Sequence, residues 1–233
     1  MTETETDRVV PDAASLACMD EATIDTTGDG LLLRALLPPR HGLVAAEAAA
    51  AAPDLAVRAE AAVAAGGLAL LLSAASAWRL DVAQAVVTAA LRHWPGLETR
   101  RDGLRLAVHE AVVNAMLHGC LRVPPHLRSD AAGWLAHSAA VDAALADPER
   151  GDRPVLVTVT PEPDGWTACV VDRGPGFIPP CPDNADPAPA DPPATRPRGR
   201  GIALMRAMCE TVRWEEGGRS VHLTIAQRPS RDA

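Results

Sequence analysis

Glu110, Asn114 and His118 recur every fourth residue in the segment HEAVVNAMLHG (109–119). That spacing lines a carboxylate, an amide and an imidazole along one face of one helix. The residues between them are mostly apolar, and polar groups beside a buried face are costly without a partner. The Asn114 amide oxygen is a neutral, hard ligand suited to Mg2+, an ion that keeps waters and bridges phosphates. Glu110, one turn earlier, is placed to orient or deprotonate an attacking hydroxyl or water. An amphipathic helix whose polar side merely meets solvent fits the same pattern. His118 stands just before Gly119 and reads as a helix-closing residue rather than a ligand.

A second carboxylate, Asp172, ends the apolar run Cys169, Val170, Val171 and opens DRGPGF (172–177). An acid at a strand end can accept a hydrogen bond from the exocyclic amine of adenine. Guanine presents a carbonyl at the equivalent edge, so the acid selects ATP over GTP. Gly174 and Gly176 let backbone approach a ring with no Cβ in the way. A plain turn after a strand has the same D-x-G form.

The third segment, RGRGIALM (198–205), sets Gly199 and Gly201 ahead of a helix that begins near Ile202. Free N–H groups at a helix start, with the positive end of its dipole, form a natural phosphate site. Arg196, Arg198 and Arg200 are the clustered cations beside it. A glycine hinge with solvated arginines is the bland alternative. Ile202 and Leu204, with Ala203 and Met205, either pack beneath a nucleotide or join the core. Ile202 and Leu204 are the candidates for the pocket.

Taken in this order, the three segments resemble the N box and the two glycine boxes of the GHKL ATPase superfamily, which includes gyrase, histidine kinases and the mismatch-repair ATPase. The resemblance spans roughly residues 100–228. EAVVNAMLHG and GRGIALMRAMC are similar to the anti-sigma-factor serine/threonine kinases of bacterial partner switching. The resemblance implies Glu110 as the base, Asn114 as the Mg2+ ligand, Asp172 as the adenine reader, and Gly174, Gly176, Gly199 and Gly201 as shapers of an ATP pocket. It also implies two protein partners, an antagonist of the anti-anti-sigma type and a sigma factor, and leaves a homodimer open. Two other readings stand beside the kinase. One is an ATP-driven conformational switch without phosphotransfer. The other is the ATP-binding half of a histidine kinase, disfavoured because neither His41 nor His93 lies in a recognisable phosphoacceptor helix.

Elements that position these residues follow from pattern. Asp102 to His118 reads as one helix with Leu104, Val108, Ala111, Ala115 and Leu117 on its apolar stripe. PVLVTVTP (154–161) and GWTACVVD (165–172) form a hairpin, and Thr211–Trp214 pairs with Ser220–Ala226 across Glu216-Gly217-Gly218. LLLRALL (31–37) reads as a strand, and the Ala-rich stretch 43–93 as helical. The uncharged run Ala61–Trp78 reads as a buried helix rather than a membrane span. These elements predict an α+β fold, a two-layer α/β sandwich with helices on one face of a mixed, largely antiparallel sheet, which the resemblance names the Bergerat fold. Residues 1–29 read as a loose leader, 30–228 as the ATPase domain and 229–233 as a tail. Within the domain, 31–95 match the family poorly, 120–152 form an insert packing through Trp134, Leu135, Val141 and Leu145, and 178–197 form a proline-rich ATP lid.

Composition narrows the classes. A net charge of −8 leaves no basic stripe for nucleic acid. All 22 basic residues are arginine, which excludes a P-loop lysine or a Schiff base. The five cysteines form no CxxC pair, and with no secretory leader legible the expectation is a reduced, cytoplasmic protein without zinc or membrane attachment.

Overall fold

The computed structural model describes residues 15–124, 131–163, 165–177 and 200–226. In chain order the elements are β1 (Leu16–Met19), α1 (Glu21–Thr27), α2 (Asp29–Leu36), β2 (Gly42–Ala45), α3 (Ala46–Ala51), α4 (Pro53–Ala64) and β3 (Leu68–Ser73). Then come α5 (Ala74–Arg79), α6 (Val82–His93), a 3-10 turn (Pro95–Arg100), α7 (Arg101–Asn114) and a π-helical turn (Ala115–Cys120). Next are α8 (Ala131–Leu145), α9 (Pro148–Gly151), β4 (Pro154–Glu162) and β5 (Gly165–Asp172). The described chain closes with α10 (Arg200–Met208), β6 (Thr211–Glu215), a 3-10 turn (Glu216–Gly218) and β7 (Ser220–Ala226).

Seven strands make one sheet in the order β1-β2-β3-β4-β5-β7-β6. The first two pairings are parallel and the other four antiparallel, giving the mixed, mostly antiparallel sheet packed on helices expected of the Bergerat fold. β1, β2, β3 and β5 therefore run in one direction. Their C-terminal ends, Met19, Ala45, Ser73 and Asp172, lie at the same edge of the sheet. Both expected hairpins form, with Val155 opposite Asp172 and Trp214 opposite Val221. Val221, Leu223 and Ile225 alternate inward beside the fully buried Trp166.

The first half differs from the sequence expectation. Leu31–Leu36 lies in helix α2, not in a strand, and Leu37 is its extended C-cap: Leu31, Leu32, Ala35 and Leu36 are buried at helical spacing, and Arg34 is exposed. The Ala-rich stretch is not all helix, because it contains β2 and β3. Every residue of both strands is buried, so neither shows the alternation that betrays a half-exposed strand. Ala61–Trp78 is accordingly the end of α4, then β3, then α5. Part of the expected leader is ordered, since Leu16–Met19 forms the edge strand and Glu21–Thr27 a helix capped by Asp20, whose carboxylate accepts from the Thr23 N–H at 2.8 Å. In the insert, Val141 is buried, but Trp134 and Leu135 are exposed rather than packed.

Candidate functional site

The polar face of α7 and the end of β5 meet through glycines. The helix beginning at Arg101 continues past Asn114 as the π-helical turn, and this carries Gly119 against the end of β5. A Cβ built on Gly119 would strike the Asp172 carboxyl group, passing 2.7 Å from Oδ2. One built on Gly174 would lie 2.6 Å from the Gly119 carbonyl carbon. No side chain fits at either position without moving backbone or the acid itself. The first two segments are thus in direct contact, with Asp172 between them.

Asp172 is only 7% exposed. Its Oδ1 accepts the Gly174 N–H at 2.6 Å, and its own N–H donates to the Arg219 carbonyl at 2.9 Å. Among the described residues Oδ2 accepts no hydrogen bond, which leaves it available to an incoming donor. Burial is the main force on this carboxyl, pushing its pKa up to about 6. The Gly174 N–H and then Arg219, Arg153 and Arg173 pull the other way.

Gly176 has φ +77°, a region that favours glycine, and a Cβ there would meet the Gly217 carbonyl. Phe177 donates its N–H to the same carbonyl at 3.0 Å, and its ring stands edge-on to Trp214, centroids 6.2 Å apart. The turn between β6 and β7 therefore forms a second wall beside the 172–177 loop.

α10 completes the arrangement. Gly201, in its first turn, packs directly on Glu110: a Cβ there would collide with Oε2 and come within 3.5 Å of Asn114 Nδ2. Glu110 and Asn114 are half-buried on the face of α7 that the start of α10 covers. Arg200 is exposed, Ile202 and Leu204 are half-buried, and Met205 is buried. Arg196, Arg198 and Gly199 lie outside the described residues, as does the expected lid 178–197. His118 is exposed at the far end of the polar row.

The three segments converge as their order suggests, around a buried acceptor and the first turn of a helix whose N–H groups suit an anion. Sequence reasoning missed Gly119, Arg153, Arg219 and the Gly217-Gly218 wall. Gly119 read as a helix stop, although a glycine beyond an apolar helix also marks close backbone approach. Nothing local to Arg153 or Arg219 signals their distance from Asp172.

The family described as Histidine kinase-like ATPase domain matches residues 72–225, about two thirds of the chain. No curated protein matches it. The match begins inside β3 and takes in all three segments. Among the described residues no helix is long and apolar enough to cross a membrane. With a buried carboxylate acceptor, glycine-shaped walls and the first turn of α10 against Glu110 and Asn114 in the matched span, this chain belongs to the histidine kinase-like ATPase domain family and is an ATP-binding domain of that kind.

Proposed function

We propose that the chain is an ATP-dependent protein kinase of the anti-sigma-factor type, phosphorylating a Ser or Thr of a small antagonist protein and so controlling a sigma factor by partner switching. One observation carries the reading: the Glu110 carboxylate lies within a helical turn of Asn114, and both sit against Gly201 at the start of α10. A phosphate chain held by that helix start would bring its terminal phosphorus to Glu110.

Asp172 Oδ2 accepts from the adenine amine, and Gly174 and Gly176 admit the ring. The α10 N–H groups, with Arg198, Gly199, Arg200 and Gly201, hold the phosphates; Ile202 and Leu204 line the floor. The substrate hydroxyl gives its proton to Glu110, its oxygen bonds to the γ-phosphorus, and the bond to the β-γ bridging oxygen breaks to release ADP. Among the described residues no group of three or more His, Cys, Asp or Glu side chains is placed to hold a metal. Mg2+ would be held by the Asn114 amide oxygen and would supply neutralisation of the phosphate charge.

The test is incubation of the chain with γ-labelled ATP and candidate antagonist proteins. The kinase reading expects label on a Ser or Thr of the antagonist, and Glu110→Gln to abolish transfer while ATP still binds. Intact nucleotide binding with no transfer to any antagonist contradicts it and favours an ATP-driven switch.

A further inference from the structure

We propose that helix α4, which precedes the family match, is a positioning element of the nucleotide site. After α3, it returns the chain to the start of β3, and its first turn lies at the end of the sheet that carries Asp172, where Asp54 meets Arg173. Two of its side chains, one turn apart and hence on one face, reach both walls beside the acid. Asp54 pairs with Arg173, the residue between Asp172 and Gly174. Arg58 pairs with Glu216 at 2.7 Å, at the head of the β6–β7 turn.

The two walls are also tied to each other. Asp172 and Phe177 donate their N–H groups to the Arg219 and Gly217 carbonyls, and Arg219 Nε donates to the Glu216 carbonyl at 3.0 Å. α4 is anchored independently, with Leu55, Ala59, Ala62 and Val63 buried as it packs along β3 and β4. One rigid helix thus braces the loop that presents the acid and the turn that backs it. The Arg173 guanidinium also holds the Asp54 carboxyl below its ordinary range. The consequence is regulatory: anything that displaces α4 alters adenine affinity, and α4 lies ahead of the residues that the family match covers. This rests on the ATP site described above.

The test uses the full chain. ATP affinity and the affinity for inorganic tripolyphosphate, read by competition, are measured for the wild type, the Asp54→Ala/Arg58→Ala double variant and the charge-keeping Asp54→Glu/Arg58→Lys variant, with urea midpoints alongside. Exposed ion pairs are individually weak, so the expected rise in ATP Kd for the alanine variant is about 3- to 10-fold. Tripolyphosphate affinity stays unchanged, because α4 braces the adenine end alone, and the charge-keeping variant retains wild-type values. Unchanged ATP affinity in the alanine variant overturns the proposal, as does equal weakening of ATP and tripolyphosphate. A wild type that binds no ATP overturns the nucleotide reading itself, and this proposal with it.

Discussion

A carboxylate buried among Gly119, Gly174 and the end of β5 destabilises the empty protein for as long as it is charged. The pKa of Asp172 is about 6 when folded and near the ordinary 3.8 when unfolded, so the folded state binds the extra proton between those values. The stability this contributes is fully present below pH about 4 and is lost as pH rises through about 6. Asp172→Asn removes the charge and keeps an acceptor for the Gly174 N–H. It is expected to raise the unfolding free energy at pH 7.5 by about 1–3 kcal/mol, and to flatten the fall in stability between pH 4 and 6. Urea titrations at several pH values check this. A variant no more stable than the parent at pH 7.5 would mean that burial of the acid is already compensated.

At the scale of elements, the N box helix was legible and the strands upstream were not. Leu104, Val108 and Ala111 mark α7 because only one side of that helix is buried. β3, the run LALLLS, is buried along its whole length and loses the period that would name it a strand. LLLRALL carries strand-like composition, yet it is a helix because α6 packs on it and its buried residues follow helical spacing. One of the links between the upstream elements and the family part is Glu21, at the start of α1. Its carboxylate accepts from the Ser73 N–H at 2.7 Å, the Ser73 hydroxyl at 2.6 Å and the Ser76 hydroxyl at 3.2 Å. Ser73 and Ser76 are buried, so Glu21→Ala strands donors inside the protein. The expected loss is about 1–3 kcal/mol, read as a lower urea midpoint. A midpoint equal to the parent's would show that water replaces the carboxylate at no cost.

At the scale of the molecule, the site belongs to one edge of a continuous sheet. Residues 72–225 carry all three motif segments, while β1 and β2 extend the same sheet ahead of them and helices α1 to α4 lie in that same upstream part. The convergence of Glu110, Asp172 and Gly201 was legible because each lies in a short segment whose residue types fix its local structure. The brace from α4 was not, since Asp54 and Arg173 are far apart in sequence and paired only by the sheet between them. A polar residue on an Ala-rich helix carries no mark of the loop it will meet.

The most direct test of the ATP site is titration calorimetry of the full chain with ATP and with GTP at pH 7.5, comparing the wild type with Asp172→Asn. The site predicts that the wild type binds ATP with GTP about 100-fold or more weaker, because a site built to pair one donor rejects the ligand that lacks it. Asp172→Asn should lose about tenfold or more in ATP affinity. Equal affinity for the two nucleotides, or an Asp172→Asn variant that binds ATP as tightly as the wild type, would contradict the assignment of Asp172 as the adenine reader.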